Sequence, residues 1–272
     1  MKTFMKPSLA GAAFALAALS AGALPAAGQS IADRVGRVSN GSVRMSFATR
    51  PGICGGGSTI YHGNGGRTSW DDNRRGSSRD VEWDSECSHG PARVVIDRSG
   101  GQITALRFYV GGRWRPAGAD VTDLGMVSAR EAASYLVSVA QNDRGSIGSK
   151  AILPATMADS ADVWPALMRV ARNPDVPRGT RNQAVFWIGQ AAGEKVTADL
   201  GALVVDNSVD REIREQAVFA LSQRPRDESV PALINVARTN RDPEIRKKAL
   251  FWLGQSHDPR ALDLFEELLT KR

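Results

Sequence analysis

The segment AVFWIGQ at 184–190 returns as AVFALSQ at 217–223 and as ALFWLGQ at 249–255, and a degenerate copy, AILPATM, stands at 151–157. The copies start 33, 33 and 32 residues apart. Within them, Ala184, Phe186, Trp187 and Ile188, with Ala217, Leu221, Ala249 and Leu253, recur at spacings of three and four, the stripe of an amphipathic helix rather than the alternation of a strand. A helical self-similarity at roughly 30 to 45 residues means one pair of helices per repeat. No single pair can bury its apolar face, so neighbours must stack to make a core. The expected fold of this half is an α-α superhelix, a solenoid of helix pairs.

The second half of each repeat has its own echo. VWPALMRVARN at 163–173 matches VPALINVARTN at 230–240, and VTADLGALVVDN at 196–207 and RALDLFEELLT at 260–270 stand in the equivalent places. Breakers separate the helices: Asn173-Pro174, Asp175 to Gly179, Gly193, Arg224-Pro225, Asp242-Pro243 and Asp258-Pro259. In Asp242-Pro243 and Asp258-Pro259 a capping carboxylate precedes a proline at the first helical position, where the missing amide proton costs nothing. These pairs mark helix starts.

The run Asp-Pro-Glu-Ile-Arg-Lys-Lys-Ala-Leu-Phe-Trp-Leu-Gly at 242–254, with Asp-Arg-Glu-Ile-Arg-Glu-Gln-Ala-Val-Phe-Ala-Leu at 210–221, resembles the HEAT-repeat family, and among its subtypes the short HEAT-like repeats first known from phycobilisome lyases. The resemblance covers about 144–272, with an extra helix expected at 128–142. It implies a ladder in which an aspartate near the turn and an arginine in the first helix link successive repeats. Asp210, Arg214 and Asp242, Arg246 fit that ladder; Arg181 keeps the arginine, Pro177 replaces its aspartate, and Gly148 replaces the arginine in the degenerate copy. That first copy is expected to serve as a cap or a junction. The resemblance also implies that second helices line the concave surface, which makes Arg169, Arg172, Asp199, Asn235, Arg238, Glu266 and Glu267 candidates for contact with a protein partner. The lyase activity is not carried over, because it belongs to the cytoplasm and this chain begins as an exported one does.

Lys2 and Lys6 precede an apolar, Ala-rich stretch from Leu9 to Leu24, and Pro25-Ala26-Ala27-Gly28 follows with small residues suited to cleavage after Gly28. This pattern predicts a signal peptide over 1–28 and a periplasmic or secreted protein. The run is short for a span and has no cysteine after it to take a lipid, so no stable membrane span is expected once the signal is removed. Composition then changes near residue 120. Residues 31–120 are rich in Gly, Ser, Arg and Asp, whereas 121–272 is rich in Ala, Leu and Val, predicting a domain at 29–120 and a helical one at 121–272. The first carries 13 arginines against 9 acidic residues and the second 20 basic against 20 acidic, so the excess of +4 is dispersed and argues against nucleic acid as a partner.

Residues 29–120 read as a small antiparallel β-rich domain of four or five strands. Val43, Met45 and Phe47, then Val81 and Trp83, alternate with polar residues, and Val94 and Ile96 lead through Arg98-Ser99-Gly100-Gly101 to Ile103, Leu106 and Phe108. Gly111-Gly112 between Phe108-Tyr109-Val110 and Arg113-Trp114-Arg115 predicts a second hairpin. The stretch from Gly52 to Ser78, rich in Gly, Asn, Ser and Arg, reads as a long mobile loop. Cys54 and Cys87 are the only cysteines, and in an exported chain an isolated pair is most simply a disulfide. The competing metal reading, with His62 and His89, lacks ligand pairs at zinc-knuckle spacing. Asp71-Asp72-Asn73 and Asp80, Glu82, Asp84 lack the grammar of a calcium loop.

No catalytic set emerges, and no cofactor is expected. There is no Gly-x-Ser-x-Gly elbow, no His-Glu-x-x-His and no phosphate-binding glycine loop, and His257 falls in a turn between solenoid helices. The expected activity is protein binding on an exported scaffold. One alternative places function in the β-domain, with Tyr61, Trp70, Trp83, Tyr109 and Trp114 holding a glycan, peptide or wall fragment. Another is an enzyme with an interdomain site built on Asp71, Asp72 or His62.

Overall fold

A computed structural model describes residues 29–57, 59–61, 67–69, 79–191 and 193–270. The expected signal peptide, Trp70, His62, Asp71 and Asp72 lie outside the described residues. The elements are α1 (Ile31–Gly36), β1 (Gly41–Phe47), β2 (Cys54–Gly56), β3 (Thr59–Tyr61), β4 (Arg67–Ser69), β5 (Val81–Glu82), β6 (Ser88–His89), β7 (Ala92–Ser99), β8 (Gln102–Val110), β9 (Arg113–Trp114) and β10 (Val121–Met126). Among the described residues nine helices then follow: α2 (Ala129–Asn142), α3 (Ile147–Met157), α4 (Trp164–Arg172), α5 (Arg178–Gly189), α6 (Glu194–Val205), α7 (Arg211–Ser222), α8 (Arg226–Thr239), α9 (Pro243–Ser256) and α10 (Pro259–Thr270).

The alternation in the first region builds one sheet, ordered β10-β1-β7-β8. Val43 lies opposite Ile96 and Met45 opposite Val94, while Ile96 and Val94 in turn face Leu106 and Phe108. All of these side chains are buried, so each cross-strand row extends one apolar face, the arrangement that fixes register. Gly100 and Gly101, both at positive φ, close the β7–β8 hairpin as expected.

Three expectations for this region are corrected. The strand β10 pairs with β1 in parallel, so the sheet runs through Met126 and a boundary after residue 120 would cut off one of its strands. No hairpin forms across Gly111-Gly112. Instead β9 leaves β8 and pairs with β5. The two glycines are there for space: a Cβ on Gly111 would collide with the Ser88 carbonyl, and one on Gly112 with that of Glu82. Arg93 then fastens the redirected chain by donating to the carbonyls of Gly111 and Gly112. Finally, β2, β3 and β4 lie inside the stretch expected to be a loop and form a second sheet with β6, in the order β4-β3-β2-β6. Their apolar content is too low for a periodic signal; backbone pairing and the Cys54–Cys87 disulfide, with Cα atoms 5.1 Å apart, hold them instead.

The nine helices after the sheet form α2 and four successive pairs, α3–α4, α5–α6, α7–α8 and α9–α10. First helices pack on one another in series, α3 on α5, α5 on α7 and α7 on α9. The core does not stop at the junction. A single apolar cluster runs from Ile31, Phe47 and Phe108 through Leu136 and Leu153 to Leu200, Leu233 and Leu264. The degenerate first repeat is the joint: α3 packs on β7 and β8, the amide of Arg50 donates to the Met157 carbonyl, and its guanidinium donates to Ala161 at 2.8 Å. Gly148 has lost the repeat arginine for a steric reason, since even a Cβ there would stand 3.2 Å from both the Ala140 carbonyl and the Thr180 hydroxyl.

Candidate partner-binding surface

The ladder implied by the repeat resemblance is formed. The buried guanidinium of Arg181 donates to the Ala171 carbonyl at 3.0 Å and to Asp210, which stands before α7. One repeat later, Arg214 donates to Val209 at 3.2 Å and to Asp242 at 3.1 Å. Asp242 also caps α9, accepting from the amide of Glu244 at 3.0 Å. Each rung therefore joins the helix start of one repeat to the first turn of the previous first helix, a structural task that buries the arginine. The third arginine differs. Arg246 donates to the carbonyls of Asn240 and Arg241 at 2.8 and 3.1 Å, and among the described residues no carboxylate meets it.

Most of the candidates on second helices already have partners within the chain. Arg172 at the end of α4 reaches Asp206 at 3.7 Å, Asp199 takes Lys195 one turn earlier at 3.3 Å, and Arg238 on α8 bonds Glu267 on α10. Hydrogen bonds from Ser208, and then the Arg172 charge, hold the Asp206 carboxyl below its usual range despite a small cost of burial. Arg169 turns back on the Pro165 carbonyl of its own helix at 3.4 Å. Asn235 and Glu266 are exposed, and among the described residues their side chains have no hydrogen-bond or ion-pair partner.

The first helices present a different row. Phe186, Phe219 and Phe251 occupy one repeat position, and Gln190, Gln223 and Gln255 stand four residues on, one turn along the same face. The glutamines are exposed, and among the described residues the one side-chain bond they make runs from Gln223 to the neighbouring Ser222 hydroxyl at 3.1 Å. Phe186 and Phe219 are half-buried, and Phe219 is covered by Trp252 of the next first helix with ring centroids 5.1 Å apart. Phe251 has no such cover and is 56 % exposed.

In the β-region, the polar ends of Trp83, Tyr109 and Trp114 are bonded within the chain. The indole of Trp83 donates to the Val110 carbonyl at 2.9 Å and packs edge-on to Tyr109, whose hydroxyl donates to Asp80 at 2.8 Å. Trp114 donates to the Ser46 hydroxyl at 2.9 Å and lies under the guanidinium groups of Arg44 and Arg93. Tyr61 sits half-buried on β3 opposite Cys54. Asp80 and Asp97 are both bound by Arg107; burial works against the Asp97 charge, but Arg107 and Ser42 hold its carboxyl below the usual range. His257 closes α9 in a left-handed conformation, φ 54°, as expected of a turn residue. Among the described residues, no three His, Cys, Asp or Glu side chains gather into a metal-binding group, and no helix is long and apolar enough to cross a membrane.

Sequence reasoning missed Arg224. It lies buried between two repeats and donates to the carbonyls of Ala191 and Gly193, to the Thr197 hydroxyl and to Glu228, closing the α5–α6 turn from the following repeat. Its only sequence signal was the proline after it. Comparison with protein families finds that residues 199–272, which span α7 to α10 and most of α6, are similar to HEAT repeats. No curated protein matches the chain. HEAT repeats generally serve as protein-interaction scaffolds, and this segment holds both the intact Arg214–Asp242 rung and the uncovered face of the last first helix.

Proposed function

We propose that this protein is an exported scaffold that binds other proteins along the ridge of its first helices, with the β-region as the cap that starts the stack. The observation that carries the reading is the row Phe186–Gln190, Phe219–Gln223, Phe251–Gln255, which repeats aromatic surface beside an amide at the spacing of the helix pairs. An amide next to partly exposed aromatic surface suits recognition of a peptide or helix, because it both donates and accepts while the ring supplies apolar area. The charges of the second helices suit it less, since Arg172, Asp199, Arg238 and Glu267 already have partners within the chain. Export is supported by the basic and apolar start of the chain and by the position of the first helix: the proposed cleavage after Gly28 leaves Ser30, which caps α1.

The test places a photo-crosslinking residue at Gln190, Gln223, Asn235 or Tyr61 in the full chain and exposes it to envelope extract. The ridge reading expects protein adducts from Gln190 and Gln223 and few from the other two. Adducts from Tyr61 alone would move the binding function to the β-region, and adducts from Asn235 alone to the second helices. N-terminal sequencing of the native protein checks export and should begin at Gln29.

A further inference from the structure

Among the described residues, α9 and α10 present without partners the kinds of group that earlier first helices use at their junctions. At the internal junctions first helices use three kinds of contact with the next, the ladder at two junctions and the other two at one junction each. A ladder arginine meets an aspartate at the helix start, as Arg181 meets Asp210 and Arg214 meets Asp242. A small residue admits the neighbour closely, as Gly189 does, where an added Cβ would stand 3.0 Å from that of Ala220. An aromatic ring is covered, as Phe219 is by Trp252. At α9 all three recur without their partners. Arg246 has backbone acceptors and no carboxylate, Gly254 is exposed with only the rim of Phe265 within 4.0 Å, and Phe251 is 56 % exposed. Beside them on α10, Leu262 and Leu269 are 63 % and 80 % exposed.

We infer that the α9–α10 face docks a helix of a partner protein whose N-terminal cap is an aspartate and whose packing face carries a small residue about ten positions later, the chemistry that Asp210 and Ala220 present to α5. This rests on the protein-binding reading above and names the partner's recognition element. Charge selects the occupant: Arg246 lacks the carboxylate that both internal rungs possess, and an apolar helix without an acidic cap would leave that guanidinium uncompensated as its surroundings lose water. A second copy of this chain fits less well, because its first repeat carries Gly148 and Arg144 at the ladder positions and is already covered by α2 and the sheet.

The probe is a peptide of residues 209–240, which carries Asp210 and Ala220, titrated into the full chain. Saturable binding is expected. Arg246→Ala in the chain and Asp210→Asn in the peptide should each weaken it by about tenfold, and together no more than either alone. The decisive variant is Gly254→Leu. It replaces a helical glycine where there is room for a side chain, so thermal stability should hold or rise, while docking is lost. As a second measurement, joining a copy of 209–240 to Arg272 sets its aspartate 32 residues beyond Asp242, the spacing of Asp210 and Asp242; helicity and thermal midpoint should rise, and Gly254→Leu should cancel the gain. Peptide binding within twofold of the parent in Gly254→Leu, no gain from the joined repeat, or dimerisation of the chain through Phe251 would each overturn the proposal. Loss of the Gln190 and Gln223 adducts with the peptide result intact would remove the ridge and keep the docking end.

Discussion

The sheet and the helical stack share one apolar core but are secured by opposite strategies. In the sheet region the ties are distant in sequence: Arg44 to Asp123, the Trp114 indole to Ser46, and β10 to β1. In the stack every tie is to the nearest repeat, through Arg181, Arg214 and Arg224. A structure of the second kind can lose an end and keep its middle, whereas one of the first kind depends on closing long loops.

The largest expected effect follows from the stack. Trp187 is 9 % exposed inside α5, between two neighbouring pairs, and Trp187→Ala should cost about 3–5 kcal/mol. Hydrogen exchange should accelerate on both sides of the substitution. Trp252 is half-buried in the last pair, so Trp252→Ala should cost less and speed exchange mainly beyond residue 243. Equal loss of protection along the whole chain in both variants would break the comparison, because it would make sheet and stack one cooperative unit.

Next comes the disulfide, which closes a separation of 33 residues. Cys54→Ser should destabilise the sheet region by about 3–4 kcal/mol on the chain-entropy account. Tryptophan fluorescence should report this transition at a lower denaturant concentration than the helical far-ultraviolet signal. Free thiol titration of denatured, unreduced protein should find none.

The ladder gives a smaller and more pointed contrast. Arg214→Ala leaves Asp242 and the Val209 carbonyl without their partner and should cost about 2 kcal/mol, while Arg246→Ala should stay within about 0.5 kcal/mol. Chemical denaturation of the two variants measures the difference, and equal costs would mean that the rungs do not link repeats.

The smallest effect is in acid. Hydrogen bonds from Arg260 outweigh burial and depress the Asp258 carboxyl to about 2, below its unfolded value of about 3.9. Its contribution to holding α10 is complete above the unfolded value and is lost as pH falls from about 4 through about 2. Amide exchange in α10 should rise over that interval in the parent chain, and in Asp258→Asn should be faster at neutral pH and flatter with acid.

The stack was legible because it is written four times. Each copy repeats the stripe of Ala184, Val185 and Ile188, and prolines or aspartates punctuate the helices, so local residues decide local structure. Long-range pairing was not legible. Gly111-Gly112 has the composition of a turn, yet its place is set by Ser88 and Glu82 approaching from a distant segment, and nothing near Val121 announces that this strand returns to β1. The Cys54–Cys87 pair could be read because only two cysteines exist. The surface was read in part: the ladder followed from the repeat, while the open end at Arg246, Phe251 and Gly254 becomes visible only once the internal junctions show what those residues normally meet.

The parallel pairing of β10 with β1 also decides how this molecule carries load. The N-terminal segment enters β1 at Gly41, and the helices leave β10 at Met126, so the two strands run the same way from opposite loading points. Tension applied between Gly41 and Met126 would therefore drag β1 and β10 past each other along their length. Their backbone hydrogen bonds are strained together rather than opened one at a time, which makes this short strand pair a shear clamp between the two halves of the chain.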